Sequence, residues 1–265
     1  MRTPARAALS KVVGWIADRR VPGPLRAPLY KGYARFTGAD LSEIASPLAS
    51  HRSLSEFFVR KLRDGARPID PGAEAIVSPC DGTLQASCAI ERGSLVQAKG
   101  RSYALEDLLG SAPDAEACEG GHAWTIYLSP RDYHRVHAPE TCTLTHLRRI
   151  AGARFSVAPS VLDARLVLPV NERAVFRLET ARGILWMVMV GATNVGRIKV
   201  VGDALDLPRR FGRGEELARF EMGSTVVLVS APDAVERLSA LVQGASVRLG
   251  QRIATWRARA GALRA

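Results

Sequence analysis

Apolar positions recur at three- and four-residue steps near the start of the chain. Ala5, Ala8, Leu9, Val12, Val13 and Ile16 form the stripe, with Arg6, Ser10, Lys11 and Asp18 off it. This spacing predicts an amphipathic helix, which Pro22-Gly23-Pro24 ends. A second helical stretch over 29–36 carries Tyr30, Tyr33 and Phe36 beside Lys31 and Arg35. That mixture suits either a lipid headgroup layer or packing on the rest of the protein with the charges solvated. Ser53-Leu54-Ser55-Glu56 fits a capping box opening a short helix through Phe57, Phe58 and Leu62, before Pro68 and Pro71 break the pattern.

The texture then changes to short Val-, Ile-, Leu- and Thr-rich runs separated by Gly, Pro and Asp. Strands are predicted over 75–77, 83–90, 124–128, 141–150, 174–180, 184–190, 195–201 and 218–229, and helices over 105–109 and 234–241. The fold class is therefore α+β: basic amphipathic helices first, then a predominantly antiparallel, β-rich body.

A chain of 265 residues can bury a substantial core, and 47% hydrophobic with 24% charged residues excludes a disordered or low-complexity protein. Charge is the unusual quantity, at +11 overall. Residues 1–35 hold eight basic residues and one acid, net +7; residues 247–265 hold five arginines and no acid, net +5; the 24 basic and 25 acidic residues between them leave −1. A neutral body with basic ends favours an anionic surface over nucleic acid, whose enzymes spread their cations along a groove. The longest purely apolar run, 184–190, is far short of a membrane span, so membrane contact is expected to be peripheral. No secretory signal pattern is present, since Lys11 interrupts the apolar stretch. Cys80, Cys88, Cys118 and Cys142 match no zinc or redox spacing, which points to buried free thiols and no metal site.

Three segments could carry chemistry. Ser224, in Met222-Gly223-Ser224-Thr225, lies within an apolar strand after a residue that tolerates strained backbone; it reads as a nucleophile or as a strand serine beside a glycine bulge. His134 and His137 fall in the proline-bounded segment 130–139, where a bent backbone could bring both to one pocket; a metal pair is the rival, without a third ligand. Asp81, in Pro79-Cys80-Asp81-Gly82, is by itself an ordinary turn signal. Together, Asp81, His137 and Ser224 supply an orienting acid, a general base and a nucleophile.

Larger blocks point the same way. Val77-Ser78-Pro79-Cys80-Asp81-Gly82, Gln97-Ala98-Lys99-Gly100, Tyr133-His134-Arg135-Val136-His137, Phe155-Ser156-Val157, Asn171-Glu172-Arg173, Val190-Gly191-Ala192-Thr193, Val195-Gly196-Arg197-Ile198 and Gly223-Ser224-Thr225 occur in this order. Phe57-Phe58-Val59-Arg60 and Arg67-Pro68-Ile69-Asp70 precede them. The set resembles phosphatidylserine decarboxylase of the bacterial, membrane-associated type, with Met222 where that family often has Leu and Ala158 where Asn is common.

The resemblance implies a proenzyme. His137, oriented by Asp81, activates Ser224 against the Gly223 carbonyl, and ester formation and β-elimination split the chain into β (1–223) and α (224–265) parts that stay associated. Ser224 becomes a covalent pyruvoyl group, the cofactor, which takes up phosphatidylserine as a Schiff base and releases carbon dioxide, leaving phosphatidylethanolamine. His134 is the implied proton donor. The implied organisation is a membrane-associating helical region over 1–65 and a decarboxylase domain over 66–265, in a homodimer at the cytoplasmic face of the cell membrane. Two rivals remain: a serine hydrolase acting on an external ester, and a non-catalytic basic module that binds anionic lipid or nucleic acid.

Overall fold

The computed structural model describes residues 15–98, 101–192, 198–202, 206–221 and 224–258. Most of the first predicted helix, from Ala5 to Val13, lies outside them. The predicted second helix is part of α1 (Gly23–Thr37), which begins on the proline-rich breaker with Pro24 in its first turn and ends at Gly38 in the left-handed conformation, φ 82°. The capping box opens α2 (Leu54–Phe58): Ser53 Oγ accepts from the Glu56 amide at 3.2 Å, and Glu56 Oε2 accepts from the Arg52 amide at 2.6 Å. Tyr30 of α1 stacks on Phe57 of α2, ring centroids 4.6 Å apart, and with Ile44 they form a small apolar cluster belonging to the helical region.

The β-rich body follows. Its strands are β1 (Ala75–Val77), β2 (Gly82–Ala89), β3 (Ser94–Ala98), β4 (Arg101–Ala104), β5 (His122–Leu128), β6 (Arg135–His137), β7 (Cys142–Ile150), β8 (Arg173–Thr180) and β9 (Ile184–Gly191). They continue with β10 (Ile198–Val200), β11 (Arg209–Phe211), β12 (Glu216–Phe220), β13 (Ser224–Ser230), β14 (Val235–Arg237), β15 (Ser246–Val247) and β16 (Arg252–Trp256). Three short helices, α3 (Leu105–Leu109), α4 (Ala112–Glu116) and α5 (Pro159–Ala164), interrupt them. The largest sheet runs β11-β7-β8-β9-β13-β5-β2-β15, and its neighbours pair antiparallel. The α+β expectation with an antiparallel body therefore holds.

Antiparallel sheets often leave one face to water; this one buries both. Met187, Met189, Val226 and Leu228 share a core with Val136, Leu217 and Phe220 of the small sheet β10-β12-β6. On the opposite face Trp186, Val188, Val190, Val227 and Val229 pack with Leu105, Leu108 and Leu162 from α3 and α5. Burial on both faces explains the uninterrupted apolar runs of β9 and β13.

Three predicted elements differ from the structure. The capping-box helix stops at Phe58 instead of continuing through Leu62, which bridges to Ile44. The helix over 234–241 is instead the strand β14 followed by turns: Val235 is buried while Glu236 and Arg237 are exposed, and the strand pairs with β16. Asp233 immediately before it has φ 51°, a left-handed conformation that does not start a right-handed helix. The long strand over 218–229 is two strands, β12 and β13, in different sheets. Ser224 accordingly opens its strand rather than lying near the middle of one. All four cysteines are free, as the spacing predicted; Cys80, Cys118 and Cys142 are buried, while Cys88 departs from the expectation in being half-buried.

Gly82 is where β2 comes closest to β5. A Cβ added there would collide with the Tyr127 carbonyl oxygen and stand 2.8 Å from Ile126 Cγ2. Gly82→Ala is expected to cost about 1–3 kcal/mol of overpacking. Each kcal/mol lowers the thermal midpoint by about 2–4 °C in a chain of this size; an unchanged midpoint in a calorimetric scan refutes the close approach.

Candidate functional site

Ser224 begins the central strand β13, between Gly191 of β9 and Leu128 of β5. Strand alternation puts its side chain on the same face as Val226 and Leu228, towards β6 and β12. The residue is 0% exposed, and its Oγ has no hydrogen-bond partner among the described residues. An unsatisfied buried hydroxyl costs about 1–3 kcal/mol, a cost that Ser224 shares with the adjacent Thr225 Oγ1.

The two histidines come from the segment that feeds β6. The His134 carbonyl accepts from the Phe220 amide at 3.0 Å, which fixes this segment against the end of β12, four residues before Ser224. The His134 ring lies 3.9 Å from the Phe58 ring, centroid to centroid. Its Nδ1 stands 2.8 Å from the Asp132 carbonyl; since a carbonyl only accepts, Nδ1 carries the proton and Nε2 is a bare lone pair. That Nε2 is buried and has no partner among the described residues. Burial is the first cause holding the His134 pKa down to about 3, with a smaller lowering from Arg60.

His137 has the same tautomer for the same reason, with Nδ1 donating to the Gly214 carbonyl at 2.9 Å. Its Nε2 accepts from the Tyr133 hydroxyl at 3.3 Å. Burial lowers its pKa first of all; the Gly214 hydrogen bond, Glu216 and Asp81 pull it back up, and Arg135 adds to the lowering. Burial also raises the Tyr133 phenol, so it remains a donor at neutral pH.

Asp81 reaches the site from the turn before β2. Its backbone neighbourhood touches that of the histidine, since the His137 amide donates to the Pro79 carbonyl at 2.8 Å. The carboxylate itself is held elsewhere: Arg67 grips it through Nε at 2.9 and 3.1 Å and Nη2 at 2.6 Å, and the Leu249 amide donates to Oδ1 at 2.9 Å. Arg67 also bonds Glu43 at 2.8 Å. The structure thus brings Asp81 and His137 into adjacent segments, while their hydrogen bonds among the described residues go to other partners. Spacing did not reveal Arg67, Glu43 and Tyr133; Arg67 and Tyr133 lie within the motif blocks, which was their one signal.

A buried serine, two neutral imidazoles on the segment bonded to the end of β12, and a paired carboxylate are the groups that nucleophilic and proton-transfer chemistry uses. The sequence profile described as phosphatidylserine decarboxylase matches residues 54–255. A phosphatidylserine decarboxylase proenzyme of Myxococcus xanthus (strain DK1622) is 39% identical, over 96% of this chain and 95% of the relative. The corresponding proenzyme of Anaeromyxobacter sp. (strain K) is also 39% identical, over 95% of each chain. That of Halorhodospira halophila (strain DSM 244 / SL1) is 41% identical, over 92% of this chain and 88% of its own. These likenesses define an enzyme of the carboxy-lyase class. The chain belongs to the phosphatidylserine decarboxylase family.

Proposed function

We propose that this chain is a proenzyme that cuts itself between Gly223 and Ser224 and then decarboxylates phosphatidylserine to phosphatidylethanolamine. The observation that carries the reading is the wholly buried, unpartnered Ser224 hydroxyl at the head of the central strand. In this reading His137 Nε2 gives up its 3.3 Å bond from the Tyr133 hydroxyl to take the Ser224 proton, and the charge of Asp81, which favours the protonated ring, supports that transfer. The serine oxygen attacks the Gly223 carbonyl carbon, the peptide becomes an ester, and β-elimination releases a chain ending at Gly223. The new terminus loses ammonia by hydrolysis and becomes the pyruvoyl group. The residues present suit such a group: once Ser224 is its source, the unpartnered Oγ is accounted for, and His134 Nε2 is an unpartnered acceptor on the neighbouring segment. The group supplies the ketone that joins the substrate amine and the electron sink for carbon dioxide loss.

His134, buried with its bare Nε2, is the residue that returns a proton to the product carbon, after that Nε2 has taken one from the substrate's ammonium group. The 42-residue α chain, 224–265, stays bound after cleavage because β13 lies between β9 and β5, both from the β chain. Intact mass spectrometry of purified protein tests the reading. Two chains dividing after residue 223 are expected, with the smaller one carrying a ketone in place of the serine amine; a single full-length chain overturns it.

The lipid substrate implies docking at a bilayer. No helix among the described residues is long and apolar enough to cross a membrane. α1 instead packs on the protein through Tyr30 and Ala34 and leaves Leu25, Leu29 and Phe36, the last 91% exposed, on its outer face. Lys31 and Arg35 flank them. This outer face is the docking surface in our reading, with the helical region 1–65 presenting it and the decarboxylase domain 66–265 behind it. Replacing Leu25, Leu29 and Phe36 together by Ser removes the apolar contacts without touching the packed face. Co-sedimentation with phosphatidylserine vesicles is expected to weaken by about tenfold or more; undiminished binding refutes this surface.

A further inference from the structure

The segment after α2 places a second unsatisfied group beside the histidines. Arg60 is 3% exposed. One of its bonds is made, from Nη2 to the Arg131 carbonyl at 3.0 Å, and its guanidinium carbon lies 5.4 Å from the centre of the Phe57 ring. Its Nε and Nη1 are buried and have no partner among the described residues. The carboxylates within electrostatic reach are Asp81, Asp132 and Glu43. Each is engaged by another group: Asp81 by Arg67 and the Leu249 amide, Asp132 by the Ser129 amide and hydroxyl, and Glu43 by Arg67. A buried cation with unmade hydrogen bonds is costly, and removing its charge is not open to arginine at neutral pH.

Its surroundings say what it faces. Phe58, two residues earlier, packs on the His134 ring, and Arg135 Nε donates to the Val59 carbonyl at 2.8 Å, so the segment 57–60 is fastened to the segment 131–135. The Arg60 charge is felt at the His134 ring and at Tyr33. Tyr33 belongs to α1 and donates its hydroxyl to the Pro130 carbonyl at 2.9 Å. Arg60 therefore sits between the apolar-faced helix and the histidine whose Nε2 is also unpartnered.

We infer that Arg60 receives the phosphodiester of the lipid headgroup. This rests on the decarboxylase reading. The headgroup carries two anions, and the chemistry distinguishes them. The carboxylate loses its charge as carbon dioxide departs, so a guanidinium paired with it stabilises the ground state more than the transition state and slows the step. The phosphodiester keeps its charge throughout, and binding it positions the amine and carboxylate without opposing the reaction. Arginine matches phosphate oxygens with directed donors, which a lysine ammonium meets only as a point charge.

The test uses the full-length precursor with Arg60→Gln and Arg60→Lys. Self-cleavage into the two chains is read first, by intact mass. Decarboxylation of phosphatidylserine and its inhibition by phosphatidylethanolamine, which has the phosphodiester and lacks the carboxylate, are then measured in mixed micelles. Arg60→Gln is expected to raise KM and the phosphatidylethanolamine inhibition constant together, each by about tenfold or more, while kcat changes by less than about threefold. Arg60→Lys should fall between. A raised KM with unchanged product inhibition assigns Arg60 to the carboxylate and overturns the inference. Unchanged constants, a fall in kcat at constant KM, or variants that do not cleave while the parent does, overturn it too, leaving Arg60 a packing or maturation residue. A parent chain that itself stays whole fails the self-cleavage reading instead, before Arg60 is reached.

Discussion

Ser224→Ala is expected to leave the precursor in one piece and without measurable decarboxylation, while folding at least as well as the parent. Removing a serine nucleophile from a hydrolase costs about 10⁶-fold in turnover. Here the loss is more complete, because in our reading the same oxygen both cuts the chain and becomes the group on which decarboxylation depends. The stability half of the prediction comes from burial. Ser224 is fully enclosed and its hydroxyl makes no hydrogen bond among the described residues, so alanine removes an unsatisfied polar group and leaves little empty volume. A gain of up to about 1 kcal/mol is expected from relieving that desolvation. A denaturing gel, a carbon dioxide assay and a thermal scan check the three parts. Decarboxylation by an uncut chain, whether parent or variant, refutes the mechanism, and cleavage of the alanine variant at the same bond refutes the role of the hydroxyl. An external-ester hydrolase predicts the opposite pattern, a parent chain that is active and never cut.

How much of this was legible in the sequence depends on the range of the interaction. Runs such as 184–190 were readable as strands because both faces of the central sheet are covered, which removes the polar alternation and leaves β-branched and large apolar residues in series. The same property masked the break after Phe220: Glu221 and Gly223 stand at it, but the apolar runs on both sides made them read as a bulge within one strand rather than as its end. Over 234–241 the three- and four-residue spacing of Ala234, Leu238 and Leu241 imitates a helix, but Ala234 and Leu241 pack against the core from the turns on either side of a short strand. Tertiary pairing with β16 outweighed local periodicity there. In the site, Asp81, His134, His137 and Ser224 were visible as residue types in known blocks. Their bonding was not: the Asp81 carboxylate is held by Arg67, 14 positions away, and by the Leu249 amide, 168 positions away. Arg60 shows its character only when burial is known, since an arginine in a motif carries no sign of which donors are unmade.

The pH dependence of self-cleavage distinguishes the two histidines. If His137 is the base, its neutral form is the active one, and the precursor should cleave at a constant rate from alkaline pH down to neutrality. Burial depresses its pKa below the ordinary 6.5, so the rate falls only as the pH drops beneath that value. His134, held down to about 3, would keep its neutral form through the whole weakly acidic range. A base with its properties gives a rate that stays flat until close to pH 3. The stability change has the same sign for both residues: a depressed folded pKa leaves stability fully present above pH 6.5 and erodes it as the pH falls towards the folded value. Cleavage must therefore be timed on precursor shown to be folded at each pH. Precursor made in a cell-free extract and shifted to buffers between about pH 4 and about pH 9 provides the profile, read from the appearance of the small fragment. Replacing His137 by Gln retains a donor for the Gly214 carbonyl and removes the base; cleavage is expected to slow by about 10²–10⁴-fold. A His137→Gln precursor that matures at the parent's rate takes the role of base away from His137.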